Sequence, residues 1–559
     1  MYGVAPGRLL ISPGSRWMRV RVFTRSPPHT LLAMLLLSFL SLLSISAVPA
    51  LSSGPSVTLE NGTYTGLTVP SFQQEHFLGM PYAQQPVNDL RFAAPLSLNT
   101  SWTGTRNAAS YSPICIGFGG DDTGFQLSEE CLTLNVVRPE GVKEGSNVPV
   151  MLWIYGGGFI MGGSADHRYN GSWIVQRSVA MKQPIIFASF NYRVGPFGFL
   201  YSQEIKDEHS GNFGLLDQHL AMQWVHENIA AFGGDPSKVT IMGESAGAES
   251  VAMQLLAFGA QSTDLFRGGI MESGTATTSS FPSLAQAQDV YDAVVSNTGC
   301  ASSGNTLACL RAVPVNTLIA ATNRSGISTG PVIDGLFLTQ PPSVSVSSGS
   351  MIKVPLLLGQ NSDEGASFGV RGLNSEAALV TALSSSGFSN ASINTLLKLY
   401  PNDPTVGVPV NTGDGLLASG SQDKRSFAIF GDVVMHAGRR FLASAMANQT
   451  QSVFTYRFNQ IPDNTTIEVG VQHFQEVAYV FSNPLPTQNP LSQRSGDVEL
   501  ANQMTSYWIS FVVNQNPNHS DVDGAVTWPD YRSGPKNIVF NRHGNTVEDD
   551  NYRAAGIAL

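Results

Sequence analysis

The stretch that decides the fold is KVTIMGESAGAESVAMQLLA, residues 238–257. Residues 238–242 are typical of a strand, and a helical pattern begins directly after Ser245. The strand and the helix follow each other with no room for a loop, so they must approach closely. Gly243 and Gly247 flank the serine because larger side chains at these two positions would collide. The pattern predicts a strained turn that lifts the Ser245 hydroxyl above a sheet, beside the positive end of the helix.

Further apolar runs predict the rest of the sheet. VPVMLWIY (148–155), PIIFASFNYRV (184–194) and VPLLLGQ (354–360) are typical of buried strands. Residues 211–236 predict an amphipathic helix with Leu216, Leu220 and Trp224 on one face and Gly233-Gly234 at its end. Strands that alternate with helices predict an α/β fold with a large, mostly parallel central sheet.

The ends of the chain and its polar stretches complete this organisation. SVTLENGTYTG (56–66) predicts a hairpin at Asn61-Gly62. Residues 373–425 are rich in Ser, Asn and Gly, but SINTLLKLY (392–400) has helical spacing, so we interpret the region as a surface subregion. The prediction is one catalytic domain, residues 51–559.

Residues 1–50 predict a secretory signal segment. Arg16, Arg19, Arg21 and Arg25 precede the apolar run 31–47, and small residues follow it. Cleavage is expected after Ala50 or Ala47, and Met18 is an alternative start. The alternative, an uncleaved membrane anchor, is disfavoured because 17 residues with four serines are short for a span. We therefore expect a secreted, extracellular protein without stable membrane insertion after signal removal.

Composition and modification signals agree with export. The 559 residues are 42% hydrophobic and carry a net charge of -10, which gives no basic footprint for nucleic acid. The candidate glycosylation sites are Asn61, Asn99, Asn170, Asn323, Asn390, Asn448, Asn464 and Asn518. The four cysteines form two near pairs, Cys115 with Cys131 and Cys300 with Cys309. We expect two local disulfides, with four reduced thiols as the alternative.

A nucleophilic serine needs donors for the negative oxygen of a tetrahedral intermediate. WIYGGGF (153–159) follows a predicted strand, and its glycines leave backbone N–H groups unhindered. We expect the N–H groups of Gly157, Gly158 and Ala246 to form an oxyanion hole; a merely flexible turn is the alternative.

The serine also needs a base and a group that orients the base, in the chain order Ser, acid, His. Of the later histidines, His436 lies in a helix-like run, and His519 and His543 lie in polar segments. His473 follows Gly470 on a predicted loop and is the best candidate base.

The acid must lie between Ser245 and His473 in the chain. Asp363 and Glu364 share a turn just after a predicted buried strand. Their spacing does not choose between them, and either could instead be a turn or capping carboxylate.

The chain resembles the type-B carboxylesterase/lipase family over nearly all of its mature length. The resemblance rests on the segments above and on GMPYAQQP (79–86), RFAAP (91–95), SEECLTLNV (128–136), NYRVGPFGFL (191–200) and MESG (271–274). Secreted fungal members are the most similar. The resemblance implies an α/β-hydrolase fold and Glu364 as the acid, and it supports the local disulfides.

The resemblance also implies supporting residues. It predicts the ion pairs Arg91 with Glu129 and Arg193 with Asp217. Further side chains expected beside the catalytic residues are Glu244, Ser273 and Glu476.

The expected reaction is ester hydrolysis through an acyl-enzyme on Ser245, without metal or cofactor. His473 must be neutral to act, so activity should fall below a pH of about 6.5. In the family that the chain resembles, the first disulfide loop carries either a tryptophan that binds a cation, as in cholinesterases, or a long mobile lid, as in lipases. Here the loop CIGFGGDDTGFQLSEEC (115–131) has no tryptophan and is short for such a lid. We therefore expect soluble or medium-chain esters rather than a lipase that acts on insoluble acylglycerols or sterol esters.

Two other classes are weaker interpretations. A non-catalytic binding protein on the same fold would lack members of the triad that this chain retains. A serine carboxypeptidase or thioesterase would lack the pair WIYGGGF and SEECLTLNV. The expected partner is a small-molecule or lipid ester substrate, and the sequence predicts no oligomeric state.

Overall fold

Apolar runs in the sequence form the strands of the structure. The structure is a computed structural model, and it describes residues 54–261, 264–324, 327–410, 417–449, 451–463, 465–484, 491, 493–520, 522 and 524–559. The predicted signal segment and Asn464 lie outside the described residues. The strands that these residues form are β1 (Ser56–Leu59), β2 (Gly62–Thr65), β3 (Leu67–Val69), β4 (Gln74–Pro81), β5 (Thr105–Asn107), β6 (Ile114–Cys115), β7 (Leu127–Ser128), β8 (Thr133–Pro139), β9 (Val148–Ile154), β10 (Ile186–Phe190), β11 (Gly234–Glu244), β12 (Gly268–Glu272), β13 (Leu356–Asn361), β14 (Val453–Phe458), β15 (Lys536–Phe540) and β16 (Thr546–Asp549).

The main sheet has eleven strands in the order β16-β15-β14-β13-β12-β11-β9-β10-β8-β4-β3. The seven strands from β15 to β10 pair in parallel, and the pairs at both edges are antiparallel. The mostly parallel sheet is therefore confirmed. Because β11 lies at the centre, residues that follow it reach the middle of the edge formed by the strands' carboxyl ends.

Helices cover both faces of this sheet. They are α1 (Ser172–Ala180), α2 (Gly195–Phe199), α3 (Gln203–Asp207), α4 (Phe213–Asn228), α5 (Ala246–Ala260), α6 (Leu284–Thr298), α7 (Thr306–Ala312), α8 (Val315–Thr322), α9 (Pro342–Ser348), α10 (Gly365–Phe368), α11 (Glu376–Ser385), α12 (Asn390–Leu399), α13 (Asp423–Gly431), α14 (Ala437–Asn448), α15 (Val477–Val480), α16 (Ser495–Asn514) and α17 (Ala554–Ile557). Among the described residues, no helix is both long and apolar enough to cross a membrane.

The predicted elements are present, with one correction on α4. The hairpin of β1 and β2 is antiparallel, and Gly233 ends the helical segment in a left-handed conformation at φ 91°. However, the apolar face predicted for α4 is only part of its buried surface: Trp224 is buried, and Leu216 and Leu220 are half-buried and pack against the core of the sheet. The buried side carries polar residues that find partners: Gln218 Nε2 donates to Ser250 Oγ of α5 at 2.9 Å.

The residues around α11 and α12 form a small unit of their own. Leu379, Leu383, Ile393 and Leu396 pack with Phe427 of α13 in a hydrophobic cluster separate from the core of the sheet. SINTLLKLY is helical as predicted up to Leu399, the last residue of α12. The described residues of Ser53–Leu559 belong to one compact unit.

Candidate active site

Ser245 lies at the turn between β11 and α5. Its backbone adopts φ 55° and ψ −126°, which is strained for a residue with a side chain. An added Cβ at Gly243 would collide with the backbone of Gly247, and one at Gly247 would collide with the carbonyl of Ile154. Both glycines are therefore required by close approach, as the sequence predicts. Ser245 is partly exposed, although its neighbours in the turn are buried.

His473 and Glu364 form the next pair. His473 Nδ1 lies 2.8 Å from Glu364 Oε2, and the carboxylate is fully buried. The other oxygen of Glu364 accepts hydrogen bonds from the backbone N–H of Asn361 at 2.8 Å and from Ser273 Oγ at 2.6 Å. This network fixes the carboxylate and, through it, the orientation of the imidazole.

Asp363, the other candidate acid, serves a different purpose. Its two oxygens accept hydrogen bonds from the backbone N–H groups of Val410 and Val471, at 2.8 and 2.7 Å. Asp363 thus fastens two loops to the end of β13. Of the two adjacent carboxylates, the structure brings Glu364 to the imidazole.

Further buried carboxyl groups surround the imidazole. Glu244 Oε1 lies 3.2 Å from His473 Nε2, although the two atoms are not aligned as a hydrogen bond. Glu476 accepts hydrogen bonds from Ser273 Oγ at 3.1 Å and from Asn361 Nδ2 at 2.6 Å. The predicted supporting residues therefore all lie beside the imidazole or its partner.

These charges change the protonation of the site. Burial by itself lowers the pKa of His473, but the carboxylates of Glu244, Glu364 and Glu476 raise it above the ordinary value of 6.5. Burial raises the pKa of Glu244 well above its ordinary range, and burial together with Glu364 raises the pKa of Glu476 to about 7. The protonation states of His473, Glu244 and Glu476 therefore depend on one another. The acid limb of the rate is therefore expected above the pH of 6.5 that the sequence alone suggests.

Ser245 and His473 lie in the same cavity without a hydrogen bond between them. Within the described residues, the Ser245 hydroxyl makes no hydrogen bond, to His473 or to any other group. Both side chains nevertheless line the same cavity of about 570 Å³. Hydrogen bonds between catalytic groups are often long without substrate and tighten in the complex.

The glycine loop, residues 156–162, forms another wall of this cavity. Gly157 and Gly158 both line the cavity and adopt positive φ, 97° and 63°. Ala246 begins α5 directly after Ser245. In the part of the chain that the structure describes, none of these three backbone N–H groups donates a hydrogen bond to the protein. They remain available to an oxygen of a ligand.

The opposite wall is unexpectedly polar. Arg168 Nη2 lies 2.9 Å from Asp121 Oδ1 and 2.5 Å from Asp166 Oδ2, and its guanidinium stacks over Phe474 at 4.6 Å. Apolar side chains also line the cavity: Ile160, Met161, Tyr169, Phe368, Pro462 and Phe474. Sequence reasoning missed Arg168, since its position before an aromatic residue carries no recognisable motif.

A fully buried carboxyl group behind the site was also missed. Glu272 Oε1 accepts a hydrogen bond from Trp508 Nε1 at 2.7 Å, and burial raises the pKa of Glu272 well above its usual range. Its place in MESG, at the end of a strand beside β11, was the available signal.

The other predicted site residues also find their partners. The disulfides Cys115–Cys131 and Cys300–Cys309 are present. Arg91 Nε lies 2.6 Å from Glu129 Oε1, and Arg193 Nη2 lies 2.7 Å from Asp217 Oδ1. Among the candidate glycosylation sites, Asn99, Asn323, Asn390, Asn448 and Asn518 are exposed, and Asn61 and Asn170 are half-buried.

The chain is similar to known proteins over most of its length. Residues 53–556 match the Carboxylesterase family. The chain is 36% identical to Secreted lipase 1 of Botryotinia fuckeliana over 90% of this chain and 92% of that protein. It is 34% identical to Secreted triacylglycerol lipase LIP1 of Gibberella zeae, over 89% of this chain and 88% of the relative. The crystal structure of Aspergillus niger EstA is similar with a TM-score of 0.81 and 30% identity, over 90% of this chain and 97% of that chain.

The chain therefore belongs to the carboxylesterase family. It is a carboxylic ester hydrolase with the α/β-hydrolase fold, and the resemblance found in the sequence is confirmed.

Proposed function

We propose that the protein hydrolyses esters through an acyl-enzyme on Ser245. His473 takes the proton of the hydroxyl as Ser245 attacks the carbonyl carbon, and Glu364 stabilises the imidazolium that forms. The alcohol leaves with that proton, and water then releases the acid by the same route. The observation that carries this proposal is the strained Ser245 in one cavity with the His473–Glu364 pair.

The oxyanion of the tetrahedral intermediate is assigned to the N–H groups of Gly157, Gly158 and Ala246. Within the described residues these N–H groups have no protein partner, which supports the assignment, because a donor already in use would not be free for the intermediate. Loss of one such donor typically slows the chemical step by about 100- to 1,000-fold.

Binding of substrate completes the proton path. His473 Nε2 faces Glu244, and the Ser245 hydroxyl makes no hydrogen bond to any residue that the structure describes. We infer that the ester displaces this arrangement and aligns the hydroxyl with Nε2. Ser273 and Glu476 then act as positioning residues, since they hold Glu364 and its surroundings in place.

We infer that soluble or medium-chain esters are preferred. The part of the cavity wall made by Arg168 and Asp121 is charged, and a long alkyl chain gains nothing from contact with it. The disulfide loop, residues 115–131, is fastened to the cavity wall by the Asp121–Arg168 pair and by Phe118 N–H, which donates to the Ile160 carbonyl at 2.8 Å. A loop held in this way is unlike a mobile lid.

A lipase is the second candidate, and the relatives favour it. The similar proteins of B. fuckeliana and G. zeae are named as lipases, the latter as a triacylglycerol lipase. We also propose that residues 1–50 are a signal segment, that residues 51–559 are one catalytic domain, and that the protein is exported. The names of these relatives as secreted proteins support export.

The test measures rates on p-nitrophenyl esters of increasing chain length, with Ser245→Ala as the blank and a phosphonate probe to label Ser245. We expect labelling at Ser245, no turnover by the variant, and smooth saturation up to the solubility limit. Retained turnover in Ser245→Ala would contradict the mechanism. A sharp rise in rate at the solubility limit would instead favour the lipase.

A further inference from the structure

The disulfide loop, residues 115–131, carries a buried carboxylate that the proposed reaction does not use. The short helical turn Gly120–Asp122 presents Asp122, which is 8% exposed, towards the glycine loop. Asp122 Oδ1 accepts a hydrogen bond from the backbone N–H of Gly162 at 2.9 Å. Its Oδ2 accepts one from Gly119 N–H at 3.1 Å. A single carboxylate thus joins two loops that the sequence places 40 residues apart.

A second contact reinforces this connection. The backbone N–H of Phe118 donates to the Ile160 carbonyl at 2.8 Å. The disulfide loop is therefore hydrogen-bonded to the glycine loop at Ile160 and at Gly162. The disulfide between Cys115 and Cys131 joins the two ends of the disulfide loop and so restricts the movement of the residues that make these hydrogen bonds.

Within the glycine loop, these contacts lead directly to the proposed oxyanion donors. The Gly157 carbonyl accepts hydrogen bonds from the N–H groups of Ile160 and Met161, at 3.1 and 3.2 Å, and so closes a tight turn. Gly157, Gly158 and Gly162 all have positive φ, and a chain with so many glycines has many other conformations available. The direction in which the donors point therefore depends on contacts from outside the loop.

Backbone donors act on the oxyanion only if they are already aimed at it. A misplacement of about 1 Å in a catalytic arrangement can cost about 100-fold in rate. The carbonyl oxygen of the bound ester needs these donors less than the oxyanion does, because the charge develops in the transition state. A loosened glycine loop should thus slow the chemical step more than it weakens substrate binding.

We propose that Asp122 is a positioning residue that holds the glycine loop in its catalytic conformation, so that the disulfide loop sets the rate of ester hydrolysis. This inference rests on the oxyanion hole assigned above. It makes the disulfide loop part of the catalytic scaffold as well as a wall of the cavity.

The direct test replaces Asp122 by Asn, which keeps the size of the side chain but accepts at only one of its two polar atoms. We expect kcat on a soluble p-nitrophenyl ester to fall about tenfold with KM unchanged, as partial misplacement of the donors requires. Binding of a trifluoromethyl ketone, which forms a tetrahedral adduct with an oxyanion, should weaken by the same factor.

Asp423→Asn is the matched control. The Asp423 carboxylate is also buried and also bridges two backbone N–H groups, those of Gly372 and Leu373 at 3.0 and 2.8 Å, but outside the cavity. The control should lose thermal stability without a change in kcat. If Asp122→Asn merely loses stability in the same way, or raises KM with kcat intact, the inference is overturned.

A second pair of variants covers the case in which Asp122→Asn does not fold. Cys115→Ser with Cys131→Ser frees the base of the disulfide loop and should lower kcat in the same way. Cys300→Ser with Cys309→Ser opens the other disulfide loop and should leave kcat unchanged. Equal kcat in both double variants would overturn the inference. Since Ser245→Ala tests the mechanism separately, a wrong role for Asp122 is distinguishable from a wrong nucleophile.

Discussion

Replacement of Glu244 by Gln should move the acid limb of the pH–rate profile to lower pH. Glu244 Oε1 lies 3.2 Å from His473 Nε2, and both groups are largely buried. Burial raises the pKa of Glu244, but wherever this carboxyl group is ionised its negative charge favours the imidazolium, which cannot act as the base. Gln has nearly the same shape but no charge, so the pKa of His473 falls and the neutral base persists at lower pH.

The distance sets the size of the effect. Two opposite unit charges this far apart attract by about 1 kcal/mol in bulk water and by about 5 kcal/mol at an effective dielectric constant of about 20. Since about 1.4 kcal/mol corresponds to one pH unit, the limb should move by about one pH unit or more. Glu364 and Glu476 still face the imidazole in the variant, so its pKa stays above that of an isolated histidine.

The assay measures kcat/KM on a soluble p-nitrophenyl ester between pH 4 and 10. Glu548→Gln is the control, because Glu548 pairs with Arg457 away from the cavity, and its profile should match that of the unsubstituted enzyme. A limb that does not move in Glu244→Gln would refute the reasoning, since it would mean that Glu244 carries no charge in the working enzyme.

Three further substitutions test the scaffold. Gly365→Ala should lower the free energy of unfolding by about 1–3 kcal/mol and also reduce kcat, because the new Cβ would collide with the Phe427 carbonyl beside the acid turn. Arg193→Met should cost about 3–5 kcal/mol in denaturant unfolding, because it leaves the Asp217 charge buried and unpaired. Ser273→Ala should lower kcat with KM unchanged, and lower the free energy of unfolding by about 1–3 kcal/mol, because the carboxylate paired with the imidazole loses a donor.

Each of these has a control elsewhere in the chain. Gly304→Ala adds a methyl group to open space and should be neutral. Lys536→Met removes an exposed ion pair with Asp549 and should cost less than about 1 kcal/mol. Ser237→Ala removes an exposed hydrogen bond to Asp235 and should leave kcat unchanged. A variant of the scaffold that behaves like its control would contradict the corresponding argument.

Local chemistry made much of the site predictable from the sequence. The two glycines of the turn at Ser245 are recognisable in a five-residue motif, although the collisions that they avoid include one with Ile154 of β9. The parallel sheet follows from strand and helix alternation, and the position of the glycine loop after β9 follows from chain order. These features involve short stretches of chain, in which pattern and structure are tightly linked.

Contacts between segments that are distant in the sequence were harder to predict from the sequence. Spacing could not separate Glu364 from Asp363, because the choice depends on what each carboxylate meets across the fold: an imidazole in one case, and the N–H groups of Val410 and Val471 in the other. The buried face of α4 was assigned to apolar residues, whereas Gln218 is buried because α5 supplies its partner. The carboxyl groups around His473 likewise act together on its pKa only because the sheet brings them close to the imidazole.

The wide separation of the active residues along the chain has a practical consequence. Ser245, Glu364 and His473 lie more than 100 residues apart from one another, and β15, which pairs with β14, is made later still. No short fragment can bring these three side chains together. Recovered turnover after dilution from denaturant should therefore count only molecules that have completed the whole sheet, which gives a direct measure of refolding yield.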